Sequence, residues 1–216
     1  MKRILLIAAL FCMSVVLANA QIKIGIKEGL NIASIDYTTA VLETETSALA
    51  SFHLGAFFHY SIVEHFGFQA ELMYSGQGAK IDFKDFGILT KNKLNYLSLP
   101  ILAKYHASSG FTAEAGISLD FLLSAKQSYE KIEGFSGSGF ELTEQDLKEG
   151  LTGVDTKFLF GVGYEMASGL SFNARFAAGL SNISKSLDEN DPNYIGEEES
   201  YNSVFQLGVG FPLYGN

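Results

Sequence analysis

Eight times along the chain, over segments of roughly ten residues, apolar side chains alternate with small or polar ones. Successive side chains of a strand point to opposite faces, so each segment carries one apolar and one mostly polar stripe. In "SFHLGAFFHYSIV" (51–63), Phe52, Leu54, Ala56, Phe58, Tyr60 and Ile62 form the first stripe, and Ser51, His53, Gly55, Phe57, His59 and Ser61 the second. In 22–33, Ile22, Ile24, Ile26, Leu30 and Ile32 oppose Lys23, Gly25, Lys27, Gly29 and Asn31, with Glu28 the one misfit in the apolar stripe. The pattern repeats through 66–77, 94–105 and 111–123, then in three further segments around Phe160, Ala174 and Leu207. Period-two alternation sustained in this way predicts eight half-exposed strands and an all-β domain.

The connections alternate as well. Those near 64–65, 106–110 and 167–169 are tight, whereas 34–50, 78–93, 124–153 and 182–201 are long and polar. A soluble barrel with its apolar stripe inward, as in a lipocalin, has no reason to sort its loops in this order, and the G-x-W of that class is missing. A membrane barrel has such a reason, with short periplasmic turns and long outer loops. Segments of about ten residues match the span of a transmembrane strand. Tyr60, Phe66, Tyr74, Tyr105, Phe111 and Tyr164 fall near strand ends, where an aromatic girdle belongs. The expected fold is an eight-stranded antiparallel up-and-down transmembrane β-barrel. Its apolar stripe faces outer-membrane lipids, its termini lie in the periplasm and its long connections lie outside.

The N-terminal "MKRILLIAALFCMSVVLANAQ" joins a basic start, an apolar run too short to span a bilayer and an A-x-A site. Residues 1–20 are therefore expected to be a secretory signal peptide and 21–216 the barrel domain. Cys12, the only cysteine, lies in the signal, which leaves no disulfide and no thiolate metal site. The net charge is −9, or −11 without Lys2 and Arg3, which argues against nucleic acid as a partner.

If the polar stripe faces the lumen, it fills it, because an eight-stranded barrel is just wide enough for its inward side chains. The candidate network comprises the cations Lys23, Lys27, Lys104, Lys157 and Arg175, the anions Glu71, Glu114, Asp120, Asp155 and Glu165, and His59. Charges held away from bulk water must pair or neutralise. Lys104 is expected diagonal to Glu114, and His59 facing Gln69 or Glu71. His53 and His59 lie about 20 Å apart along a strand, too far to share a metal. His59-Tyr60-Ser61 and His106-Ala107-Ser108 are H-x-S sequences, as in outer-membrane lipid A hydrolases. Both fall at the periplasmic end, away from the outer leaflet, so no catalytic residue, cofactor or metal site is expected. A narrow pore and a lipid-modifying enzyme remain the alternatives to a structural or interaction role.

Other features read as structure. Pro100 falls mid-strand and suggests a local bulge. "LTEQDLKEGL" (142–151) has the form of a short helix, with Thr143 as N-cap and Gly150 as stop. "SGQGAK" (75–80) and "GFSGSGF" (134–140) lack phosphate-loop spacing and read as flexible loop. The acidic "SLDENDPNYIGEEES" (186–200) includes Asp188, Glu189 and Asp191, but no D-x-[DN]-x-[DN]-G calcium pattern.

Four stretches, "GIKEGLN" (25–31), "FGFQAELMYSGQGAK" (66–80), "LNYLSLPILAKY" (94–105) and "FTAEAGISLDFLLSAK" (111–126), resemble the PorT-type outer-membrane β-barrel family of Gram-negative bacteria. Members of that family are often labelled porin family proteins. The resemblance implies a barrel like the transmembrane part of OmpA. Through the namesake's part in protein secretion, it also implies possible partners in an envelope or secretion assembly. "QLGVGFPL" (206–213) looks like the last-strand signal read by barrel assembly machinery, although the chain continues through Tyr214, Gly215 and Asn216.

Overall fold

A computed structural model of the chain describes residues 22–37, 44–83, 88–132, 144–185 and 199–215. The expected signal (1–20), the glycine-rich 134–140 stretch and the acidic residues Asp188, Glu189 and Asp191 lie outside the described residues.

Eight long strands form a closed antiparallel ring: β1 (Ile22–Tyr37), β2 (Thr44–Val63), β3 (Phe66–Phe83), β4 (Ile88–His106), β5 (Phe111–Ile132), β7 (Val154–Glu165), β8 (Ser171–Gly179) and β9 (Ser200–Tyr214). Each pairs with its neighbours in sequence, and β1 pairs with β9 from Ile24↔Tyr214 to Tyr37↔Ser200, so the ring leaves no edge. The two-residue β6 (Gln145–Asp146) adds to the upper part of β5, at Lys126 and Gln127, outside the ring.

The stripes sort by face. Ile26, Leu30, Phe52, Leu54, Phe68, Leu72, Ile101, Ile117, Phe160, Phe172 and Leu207 point outward and are exposed, while Lys27, His53, Glu71, Lys104, Glu114 and Arg175 are buried inside. An apolar belt of this size is incompatible with water and fits lipid. Phe66 and Tyr105 stack at 5.0 Å at the end carrying the tight turns, and Phe52 meets Tyr74 at 5.5 Å toward the other end. Gly110 (φ 89°) and Gly169 (φ 82°) supply the left-handed backbone that two of those turns need.

Several expectations are corrected. The stretches 34–50 and 78–93 are largely strand: β2 to β5 run 18 to 22 residues, about twice what a membrane crossing needs. The hairpins therefore continue beyond the lipid, where Asn95 donates to Ser124 Oγ at 2.9 Å and Lys93 stands opposite Lys126. For the same reason "SGQGAK" is part of β3 rather than a loop. Pro100 stays in register opposite Ser118 without a bulge; only its β3 side lacks a ladder pairing. The described part of 142–151 is not an α-helix but β6 followed by a single 3-10 turn, Lys148–Gly150. There, Leu147 and Leu151 pack onto a buried apolar cluster of Ile35, Leu94, Tyr96, Leu122 and Ile183 near the outer mouth.

The orientation is testable in a Cys12→Ser background. Lys93→Cys is expected to react with a membrane-impermeant maleimide on intact cells, and Ser108→Cys only after the outer membrane is permeabilised. The opposite labelling would turn the barrel upside down.

Candidate functional site

Each of the eleven candidate side chains comes from a lumen-facing strand position, and together they stack in layers along the barrel axis. The central layer is built on Arg175 of β8. Its guanidinium donates to Glu71 of β3 at 2.9 and 3.0 Å, and to Glu114 of β5 at 2.8 Å. Lys27 of β1 adds a contact to Glu71 at 3.1 Å, and the Gln69 amide donates to the same carboxylate at 2.7 Å. These side chains are nearly inaccessible, so the charges are balanced by one another rather than by water. Lys104 stands directly opposite Glu114 in the ladder, not diagonal to it, and its ammonium donates to Gln69 at 3.3 Å. The four-residue turn after His106 sets that register.

Toward the outer mouth, Lys157 of β7 sits 2.8 Å from Asp120 and 2.7 Å from Asp155, donates to Gln77 at 2.7 Å, and lies 5.0 Å over the Tyr96 ring. Asn202 donates to Gln77 at 2.6 Å, and Ser181 to Asp155 at 3.1 Å. Between the two charged layers, Asn31 joins His53 Nδ1 at 2.7 Å, Ser75 at 2.9 Å and Gln206 at 3.1 Å. The amides Gln77 and Asn202 were not among the candidates. Their signal was the same parity as the charges they connect.

The lumen also holds an apolar patch, Ala33, Leu102, Leu159, Ala177 and Val204, whose parity matches the polar stripe. Gly29 keeps room for the imidazole of His53, which lies 2.7 Å from where a Cβ would stand. Two cavities of about 20 Å³ each lie among these layers, room for about one water apiece.

At the mouth carrying the tight turns, Lys23 pairs with Glu165, and His106 Nδ1 lies 3.8 Å from the same carboxylate. The His59 ring, opposite Gln69 in the ladder, meets that of His106 edge-on at 4.9 Å, and its Nε2 is 3.3 Å from Ser61 Oγ. These groups line an open pocket of about 420 Å³ with Ser108. A serine beside a histidine is half of a nucleophilic triad, whose other half is an acceptor on the second ring nitrogen. His59 Nδ1 has no hydrogen-bond partner, and Glu165 faces His106 instead. Among the described residues, no three histidine, cysteine or acidic side chains are grouped to hold a metal. At the outer rim, beyond the lipid belt, a 2.7 Å hydrogen bond from Lys126, reinforced by its charge, holds the Glu144 carboxyl below its ordinary range.

Comparison with known proteins adds to this geometry. A family described as outer membrane protein beta-barrel domain matches residues 18–185. Among solved structures, the chain is similar to Ail of Yersinia pestis (TM-score 0.49, 10% identity, 89% of this chain and 99% of that one). It is also similar to Neisserial surface protein A (0.45, 14%, 87% and 95%) and to OprG of Pseudomonas aeruginosa (0.37, 14%, 90% and 95%). No curated protein matches the chain significantly.

The central layer makes a sharp prediction. Arg175→Ala leaves Glu71 and Glu114 buried without their main cation, at an expected cost of about 3–5 kcal/mol. It should be read as a lower urea midpoint in lipid vesicles and earlier loss of heat-resistant migration. Arg175→Met and Lys27→Met combined with Glu71→Gln and Glu114→Gln remove the two cations and two anions of the layer together and should recover most of that loss. Equal damage from both variants would show that packing, not charge, holds this layer.

Proposed function

The chain belongs to the outer membrane protein beta-barrel domain family, and we propose that within it this protein is a non-conducting scaffold of the PorT type. In this reading, residues 1–20 direct secretion, and assembly machinery inserts residues 21–216. The barrel then anchors a set of protruding hairpins as a subunit of an envelope or secretion assembly.

The observation that carries the proposal is the filled lumen. A porin needs a continuous aqueous path, and here three layers of paired charges and amides leave cavities of only about 20 Å³. The apolar cluster around Tyr96 and Leu122, with Leu147 and Leu151 packed on it, adds a dry layer near the outer mouth. The lack of an acceptor on His59 Nδ1 weighs against an enzyme at the periplasmic mouth. The parts left to act are surfaces. On the outer side, Lys80 faces Lys91 and Lys93 faces Lys126 on hairpins that stand clear of the lipid.

The test is the native mass after extraction from outer membranes in mild detergent, with conductance of the purified barrel in planar bilayers. The expected result is a heavier complex of fixed composition and no steady conductance. A lone monomer that conducts ions would replace the scaffold with a narrow pore.

A further inference from the structure

Among the described residues, the middle of the lipid-facing belt contains one carboxylate. On β1, Ile24, Ile26, Leu30 and Ile32 point outward and are 37–63% exposed, and Glu28 stands exposed in the middle of that row. Its ladder partners are Leu54 on β2 and Val209 on β9, both in the apolar stripe. Glu28 forms no hydrogen bond or ion pair with any described residue. The outward apolar band of a barrel is about 25 Å tall, so its centre lies roughly 12 Å from either headgroup layer. A glutamate side chain, about 5 Å long, does not reach water from there. Ionisable groups in this position pair with something or mark a functional surface.

We infer that the β1–β9–β8 face is covered in the outer membrane by a different transmembrane protein that presents a lysine or arginine to Glu28. This rests on the reading of the barrel as a subunit of an assembly. Among the described residues of known exposure, a second copy of this chain offers no outward cation within the band. Lys23, Lys27, Lys104, Lys157 and Arg175 all turn inward, and the outward Lys80, Lys91, Lys93 and Lys126 stand on strand extensions beyond the band. A two-fold contact through this face would set carboxylate against carboxylate. Relief on the surface agrees with a protein neighbour: beside Glu28 runs an open apolar groove of about 650 Å³, lined by Leu30, Val162, Phe172, Ala174, Leu207 and Val209. Its small residues, Ala174 and Val162, leave space into which a partner's side chains fit.

The experiment places a photo-crosslinking residue at Leu207, in the groove on β9, in the full chain, expressed in its own outer membrane, with Glu28 intact or changed to Leu or Gln. The expected result is an adduct to one transmembrane protein, at a segment carrying a lysine or arginine. Glu28→Leu should lower adduct and complex at least tenfold, and Glu28→Gln less, while the urea midpoint of the purified Glu28→Leu barrel in vesicles stays equal or rises. Glu28→Lys combined with an acidic residue at the partner's cation should restore the complex. A heavier complex indifferent to Glu28→Leu overturns this inference and leaves the assembly reading standing. An adduct only to a second copy, or only to lipid, also overturns it. A wild-type protein already monomeric at extraction overturns the assembly reading itself.

Discussion

The guanidinium of Arg175 is the point on which the barrel's interior depends. It joins β8 to β3 through Glu71 and to β5 through Glu114, and Lys27 ties β1 to Glu71 as well. Such groups do not add much net stability, because each has lost its hydration. What they add is discrimination. A two-residue slip of β3 keeps its apolar side chains in lipid but moves Gln69 or Met73 to the position of Glu71, leaving a buried cation without its partner. Hydrophobicity alone tolerates that slip; the charges do not. The Lys157 layer, which ties β7 to β5 and through Gln77 to β3, repeats the constraint a few residues higher.

The alternation made the strand number and the two stripes legible, because parity is a local property of the sequence; the sorting of tight and long connections then chose the up-and-down ring and the inward face. Neither revealed who meets whom. Arg175 and Glu71 are 104 residues apart, and what brings them together is strand tilt and stagger around a closed ring, which no single segment encodes. Lys104 shows the difference most plainly: its neighbour in the ladder is Glu114, yet its hydrogen bond goes to Gln69. Strand ends were misread for a related reason. Hydropathy marks where lipid stops, whereas pairing continues above it between polar residues such as Asn95 and Ser124. Leu102, Leu159 and Val204 were hidden by the reverse error, since apolar residues of lumen parity are invisible to a rule that sorts by face.

Because the central and upper charged layers pair internally, they make few demands on what surrounds them. The outer hairpins sit on a ring whose register is fixed below them, so their sequences can change without disturbing the charged layers. The mouth at the tight-turn end, with Lys23, Glu165, His59 and His106, opens into a pocket of about 420 Å³.

The alternating stripe has a consequence before the barrel exists. A segment lodges in a bilayer as a helix when about twenty consecutive residues are apolar, and here small or polar residues recur at most alternate positions of each strand. The unfolded polypeptide is thus not greasy anywhere for long enough to be retained by the inner membrane it must pass. Its affinity for lipid is latent, divided among eight half-stripes, and becomes a continuous belt only when β9, the last strand to emerge, closes on β1. The same spacing that hides Arg175 in the finished wall makes the chain a passenger until it reaches the membrane where it stays.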